Sequence, residues 1–446
     1  MQSGSNGRSA APKRESEGLL PQRGYGEGIR NPRARQRAFL IAAGPAEPDL
    51  AELRELLRTA GVAVSGELTQ RRPDPDPDRY LGKGKLAELK QAVKRSGATL
   101  VASDDELKPR QERNLEEALG VPVIDRTAII LDIFAEHASS AEGNLQVELA
   151  QLEYNLARMR GLWTHLERLG GGIGTRGPGE SQIETDRRLA RNRIAALRRR
   201  LDQAKGARST MRRERERAGL PTVALAGYTN AGKSTLLNAL SGADVGVRER
   251  LFHTLDPTTR TFAISGRSYL LTDTVGFIRK LPHQLVDAFS ATLEEAMGAD
   301  LLVHVVDASV PEAELHEMIA AVEEVLAEIG AAERPRLLAL NKADLVDAER
   351  RRQLGFRFRD AVQVSGETEE GLEQLRATIE GRFLSSLEPM ELLVPYEEGA
   401  SLSELHELAG DLEREDTIDG VRVRARVPVA AAPRFQRFSA NGDSGG

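Results

Sequence analysis

Apolar and polar positions alternate in a regular order through residues 37–140. The runs AFLIAA, VAVSGEL, TLVAS and VPVID are separated by helix-like segments near Asp49 to Ala60, near Lys85 to Ser96 and up to Leu119. Short apolar runs divided by amphipathic segments predict a small parallel sheet flanked by helices. A second series starts at Pro221, where TVALAG, TFAIS, SYLLTDT, LLVHVVDA, RLLALNK and AVQVS again alternate with helix-like stretches. It predicts a mainly parallel sheet with helices on both faces over residues 220–386. Beyond it, LLVPYEEGASLSELHELAG and GVRVRARVPVA read as strand, helix and strand, a small α/β unit over 387–432.

Between the two sheets the period lengthens. Leu145, Leu149, Leu152, Leu156, Met159, Trp163 and Leu166 recur in alternating steps of four and three, and Ala190, Ile194, Leu197, Leu201, Ala204, Arg208 and Met211 repeat the stripe. Such a stripe is a coiled-coil seam. Two seams joined by one connection pack most simply as an antiparallel pair, so residues 141–219 are expected to form a helical hairpin. Its first helix would project about 30 Å at 1.5 Å per residue. Its tip is GGGIGTRGPGES, residues 170–181, with too few apolar groups for a core of its own. Residues 1–36 and 433–446 lack apolar periodicity and are expected to be disordered tails. In RRPDPDPDRYLGKGK the Asp-Pro repeats make an exposed loop. Gly82, Lys83, Gly84 and Lys85 could cradle a phosphate, but a lone GKGK is more often a flexible turn with solvated lysines.

Composition narrows the class. The chain has 446 residues, 40% hydrophobic and 4% aromatic, enough for packed α/β cores in two to four domains. With no cysteine there are no disulfides and no thiolate metal sites. No apolar run approaches the roughly eighteen residues of a membrane span, and no secretory signal begins the chain. A cytoplasmic protein acting as a monomer is expected. The net charge of −6 conceals a segregation: Asp186 to Arg217 carries thirteen Lys/Arg against four Asp/Glu, and residues 1–37 carry eight against three. A cationic arm on an acidic body points to a polyanionic partner met by one part of the molecule.

The chemistry concentrates at GYTNAGKST, directly after TVALA and before STLLNAL. The spacing G-x-x-x-x-G-K-[ST] at a strand-to-helix turn aims backbone N–H groups of Gly227, Tyr228, Thr229, Asn230, Ala231, Gly232, Lys233, Ser234 and Thr235 into one concavity, where the helix dipole favours phosphate. Lys233 would reach the β- and γ-phosphates, and the Ser234 hydroxyl would ligate Mg²⁺. DTVG ends a later strand: Asp273 can hold the Mg²⁺ shell through water, Thr274 and Val275 follow, and the Gly276 N–H can sense the γ-phosphate. NKAD ends another. The Asp344 carboxylate can accept from both N1–H and the 2-amino group of guanine, donors that adenine lacks, so GTP is selected over ATP. Asn341 would address the other edge of the base, Lys342 its plane, and Ala343 lies between. Ser365 and Gly366 would close the pocket.

Between these motifs, LFHTLDPTTR offers a mobile loop of Phe252, His253, Thr254, Leu255 and Asp256. FHTL resembles the corresponding loop of the Obg-like translational GTPases, which favours Thr254 as the second Mg²⁺ ligand over Thr258 and Thr259. Where Ras-like enzymes place a water-orienting Gln, this chain has Phe277 and then Ile278, which cannot orient water. Slow intrinsic hydrolysis is therefore expected, with help from a partner.

GYTNAGKSTLLNAL, LFHTLDPTTR, DTVGFIRKLP and NKADL, preceded by LDIFAEHASSAEGNLQVELAQLEY and GGGIGTRGPGESQIETDRR, resemble the HflX family of GTPases over about residues 37 to 430. The resemblance implies a GTPase that binds the large ribosomal subunit, places its hairpin tip near the peptidyl-transferase region, and splits or rescues stalled ribosomes, particularly under stress. Asn230 resembles the P-loop asparagine that binds K⁺ in potassium-dependent GTPases. Charge and loop composition are an independent reason for RNA at the arm, through Gly171, Gly172, Thr175, Arg176, Gly177, Gly179, Arg187, Arg188 and Arg191. The competing class is a GTP-regulated RNA-binding scaffold or assembly switch that uses hydrolysis as a timer. No methyl-donor, pseudouridylation or nuclease constellation supports it.

Overall fold

In the computed structural model, which describes residues 36–162, 178–217, 220–242, 251–252, 257–280, 290–385, 387–428 and 431–439, strand β1 (Arg37–Gly44) is buried almost throughout. The even positions Ala38, Leu40 and Ala42 pack on Leu53, Leu56 and Leu57 of helix α1 (Ala51–Thr59) and on Ile129, Ile130 and Phe134 of helix α4 (Arg126–His137). The odd positions Phe39, Ile41 and Ala43 pack on helices α2 (Lys83–Ser96) and α3 (Pro109–Leu119). Apolar side chains on both faces follow from the two-residue period of a strand that is covered twice. With β2 (Ala63–Arg71), β3 (Leu100–Ser103) and β4 (Val123–Asp125) it forms a parallel sheet in the order β2-β1-β3-β4. Helix α2 starts two residues earlier than its periodicity predicts. Gly82 precedes it with an ordinary φ of −65°, and its N–H goes to Gln70 Oε1 at 2.9 Å, so Lys83, Gly84 and Lys85 lie in the first helical turn.

Helices α5 (Ala141–Leu162) and α6 (Pro178–Arg217) carry the predicted stripes from Leu145 to Met159 and from Ala190 to Met211, while Trp163 and Leu166 lie outside the described residues. They meet through Leu152, Ile194 and Leu197, with Leu145, Leu149 and Leu156 partly covered. The expected tip at 170–181 is shortened, because Pro178, Gly179, Glu180 and Ser181 belong to α6. Proline has a φ suited to the first helical turn and lacks an N–H that would be unpaired there anyway. Gly171, Gly172, Thr175, Arg176 and Gly177 lie outside the described residues.

The third layer set is a six-stranded sheet in the order β10-β9-β8-β5-β7-β6, built from β5 (Thr222–Gly227), β6 (Thr258–Ile264), β7 (Arg267–Asp273), β8 (Leu301–Asp307), β9 (Arg336–Asn341) and β10 (Val362–Gln363). Only the β6–β7 pair is antiparallel. One face, with Val223, Leu225 and Val303, packs on helix α7 (Lys233–Ser241) and on Leu372, Leu375 and Ile379 at the start of a later helix. The other, with Ala224, Ala226 and Leu302, packs on Leu293 and Ala296 of α8 (Ser290–Gly298) and on Val322, Val325 and Leu326 of α9 (Glu312–Glu328). That second cluster is continuous with the α1–α4 face of the N-terminal sheet. Further on lie α10 (Ala348–Arg357) and α11 (Leu372–Ser385). Among the described residues no helix is long and apolar enough to cross a membrane.

The carboxyl-terminal unit departs from the strand–helix–strand expectation. After β11 (Leu387–Val394) and α12 (Gly399–Leu408) comes an extra strand, β12 (Gly410–Thr417), which pairs antiparallel with β13 (Gly420–Pro428). Its sequence, GDLEREDT, is too polar to read as a strand alone; the register sets Glu413 opposite Arg424 and Glu415 opposite Arg422, so opposite charges face each other where an apolar alternation would be expected. The expected tail at 433–446 is corrected over residues 433–439, and residues 440–446 lie outside the described residues. Residues 432–438 form a short helix and a 3-10 turn whose Phe435 and Phe438 are buried with Val423 and Val427. Phe435→Ala should therefore destabilise this unit by about 3–5 kcal/mol. Amide exchange in β11–β13 should accelerate accordingly, and unchanged protection would refute the packing.

Candidate nucleotide-binding site

The glycines of GYTNAGKST have different tasks. Gly232 has a φ of +89° and precedes α7; a Cβ there would collide with Asn341 Nδ2. The backbone can turn this tightly against a neighbouring loop only without a side chain. Asn230 is exposed, with a φ of +61°, in the left-handed region that asparagine tolerates better than most residues. Lys233 is buried, and its Nζ donates to the carbonyls of Gly227 and Tyr228 at 3.1 and 3.0 Å. Burial pushes its pKa down to about 8 against the opposing pull of Asp273. Ser234 Oγ donates to Asp273 Oδ2 at 2.6 Å. A hydroxyl and a carboxylate side by side are the hard oxygen donors that suit Mg²⁺.

Asn341 joins three loops. Its Nδ2 donates to Ala231 O at 2.8 Å, and its Oδ1 accepts from Gly366 N–H at 3.1 Å. Lys342, with a φ of +60°, reaches Asp307 Oδ2 at the end of β8 at 2.7 Å. Ala343 begins a 3-10 turn that leaves Asp344 exposed. Ser365 Oγ accepts from the Thr368 N–H at 3.0 Å, which closes its loop. The phosphate loop, NKAD and Ser365–Gly366 thus form one rim at the carboxyl ends of the parallel strands, where ligands of such sheets bind. Asp307 was not among the predicted residues, although its place at the end of LLVHVVD was the available signal.

DTVG lies beside the phosphate loop. Thr274 Oγ1 donates to Leu225 O at 2.7 Å, and Val275 is buried. A Cβ on Gly276 would strike Thr229 and come within 3.2 Å of Lys233 Nζ. Thr229 N–H donates to Phe277 O at 2.7 Å, and Phe277 N–H to Gly227 O at 3.1 Å. The Phe277 side chain has no exposed surface and sits in the cluster shared with the N-terminal sheet. Two predicted contact residues turn elsewhere. Phe252 packs its ring edge-on against Phe134 at 4.7 Å, and the Tyr228 hydroxyl donates to Glu52 Oε1 at 2.7 Å. Of the competing threonines, Thr258 and Thr259 are held in β6, with Thr259 Oγ1 against Thr272 Oγ1 at 2.9 Å. His253, Thr254, Leu255 and Asp256 lie outside the described residues. Arg187, Arg188 and Arg191 are on α6, with Arg188 and Arg191 exposed.

Comparison with known proteins matches residues 47–135 to a family described as GTP-binding GTPase N-terminal, residues 137–215 to GTP-binding GTPase Middle Region, and residues 222–342 to 50S ribosome-binding GTPase. The chain is 47% identical over 410 residues to GTPase HflX of Caldanaerobacter subterraneus subsp. tengcongensis, covering 91% of this chain and 94% of that protein. It is 45% identical over 386 residues to GTPase HflX of Escherichia coli, covering 85% and 90%. A solved GTP-binding protein from Sulfolobus solfataricus in complex with GDP is similar at 28% identity and a TM-score of 0.41, covering 78% of this chain and 98% of that one.

The low pKa of Lys233 has a measurable sign. Below about pH 8 the site carries the ammonium that a phosphate needs, and above it binding must take up a proton. GDP affinity should then fall about tenfold by pH 9 relative to pH 7. Calorimetry in buffers of different ionisation enthalpy would show the uptake; equal affinity at the two pH values would refute it.

Proposed function

Because the chain belongs to the HflX family of GTPases, we propose that it is a GTP-hydrolysing factor that binds the large ribosomal subunit through its helical arm and splits or rescues stalled ribosomes. Conversion of GTP to GDP and phosphate is the reaction of the family. In this reading Lys233 and the backbone of the phosphate loop bind the β- and γ-phosphates. Asp344 selects guanine, Lys342 covers the base, and Gly276 N–H meets the γ-phosphate. The observation that carries it is the Asn341 bridge, which sets the guanine-reading loop and the phosphate loop at one fixed spacing. Ser234 and Thr254 would ligate Mg²⁺, with Asp273 behind them. When bound, the ion would neutralise charge on the phosphate oxygens. Asn230 would add a K⁺ site.

The arm supports an RNA partner in two ways. In the heptad frame of the stripes, Glu148–Arg193 at 2.7 Å is a g–g pair and Glu153–Arg198 at 2.7 Å an e–e pair. Those pairings fit an antiparallel hairpin. Beyond them, exposed Arg188, Arg191, Arg199 and Arg200 offer cations to a phosphate backbone. Since Phe277 is buried and cannot orient water, turnover would be slow until the ribosome contributes or rearranges the missing group.

Sedimentation with ribosomes in a non-hydrolysable GTP analogue, GDP and no nucleotide should place the protein on the large subunit with the analogue and release it in GDP. Absence from the large subunit in every state would defeat the reading in favour of a scaffold elsewhere. Turnover should be higher in KCl than in NaCl at equal ionic strength, and equal rates would remove the K⁺ site.

A further inference from the structure

In the N-terminal sheet the chain order reverses between β1 and β3, and the crevice at their carboxyl ends is where parallel α/β sheets hold ligands. Here it holds part of the same chain. Arg126, 2% exposed, places Nη1 on Asp104 Oδ1 at 2.9 Å, and Nη2 both on Glu52 Oε2 and on the backbone carbonyl of Arg279 at 2.9 Å. Lys280 reaches Asp104 Oδ2 at 2.7 Å and Asp105 Oδ1 at 2.5 Å. Arg279 Nε lies 3.2 Å from Glu52 Oε2, and its backbone N–H donates to the Tyr228 hydroxyl at 2.8 Å. Arg279 is therefore gripped at both backbone polar groups, its N–H from the phosphate loop and its carbonyl from the N-terminal body.

This grip begins three residues after Gly276. The apolar cluster of Phe277, Ile278, Val275 and Phe134 already joins the two bodies. Buried ion pairs add little net stability to such a contact, because desolvation offsets their attraction, but they specify geometry. What the network adds is direction: it fixes how Phe277 to Lys280 cross from one body to the other.

We propose that Arg126 is a positioning residue for GTP hydrolysis, which together with the Lys280–Asp104 pair holds the Gly276–Lys280 segment in register with the phosphate loop. The segment carries no water-orienting side chain of its own, so its usefulness depends on where its backbone is held. The same joint faces the arm. Asp125, one residue before Arg126, accepts from Tyr154 Oη at 2.9 Å and from Arg158 Nη2 at 2.7 Å, both on α5. A displacement of α5 would thus reach the hydrolytic segment through one peptide unit. The proposal requires only that the chain hydrolyses GTP, and it stands whether or not the partner is a ribosome.

The test uses the full chain without ribosomes. Lys280 is half exposed, so Lys280→Met removes the ion pairs without opening a cavity. Its kcat for GTP should fall about tenfold, as a small misplacement of a reacting geometry does, while GDP affinity stays as in the parent. Asp104→Asn should act likewise, and the double variant should lose less than the product of the two single effects, because the two residues share one contact although Lys280 also holds Asp105 and Asp104 also holds Arg126. Arg126→Lys keeps the charge but cannot hold Glu52, Asp104 and the Arg279 carbonyl at once, and should also lower kcat. An unchanged kcat in Lys280→Met, multiplying effects in the double variant, or a parallel loss of kcat and GDP affinity would each overturn the proposal.

Discussion

Phe277 has no exposed surface, yet its backbone is bonded to Gly227 and Thr229 of the phosphate loop. Burying a ring of this size is worth about 1.5–3 kcal/mol, and the cluster that receives it is the one formed by α1, α4 and the N-terminal sheet. The strand end that carries DTVG is therefore held by two bodies at once. Without that burial the segment would be an exposed loop; with it, the nucleotide rim and the N-terminal sheet share a wall. Ion pairs from Glu52, Asp104 and Arg126 then settle the orientation that apolar packing leaves free.

The rim follows from a different balance. Lys233 lies in a site dry enough to push its pKa down to about 8 even against the pull of Asp273, because burying a cation is costly. Two backbone carbonyls hold the ammonium in place. A phosphate would offer a far better partner, so the strain of burying the lysine is itself part of the affinity. Asn341 performs the complementary task at the base-reading end, where both ends of its amide are bonded to the loops it joins.

The arm obeys a looser rule. Its seam is narrow, with Leu152, Ile194 and Leu197 as the buried centre, and its outer positions are arginines whose ion pairs are half exposed. Such pairs contribute little each. The arm is also tied to the N-terminal body near the carboxyl end of α5, where Arg158 meets Glu112 and Asp125 and stacks 3.4 Å over the Tyr154 ring. Burial raises the Glu112 carboxyl to about 7 even beside that guanidinium.

Much of this was legible in the chain. Strands β1, β5, β7, β8 and β9 are apolar runs because each is covered on both faces, and local composition reports that directly. The phosphate loop, DTVG and NKAD were legible because their glycines and carboxylates answer to the nucleotide, whose chemistry is the same in any context. Strand β12 was not, since its residues are mostly polar and what holds it is the ladder to β13, which exists only across the sheet. Nor was the packed end of the chain, where Phe435 and Phe438 are two isolated rings until the sheet gives them a face. Nor does a place in a motif tell where the Phe252 and Tyr228 side chains go; they turn to Phe134 and Glu52. Sequence determined the apolar strands, the helices between them and the motifs of the nucleotide rim, because those depend on neighbours within a few residues. The union of the two bodies through Phe277, Arg279 and Lys280 was decided by tertiary structure alone, because Glu52, Asp104 and Arg126 stand more than a hundred and fifty residues away in the chain.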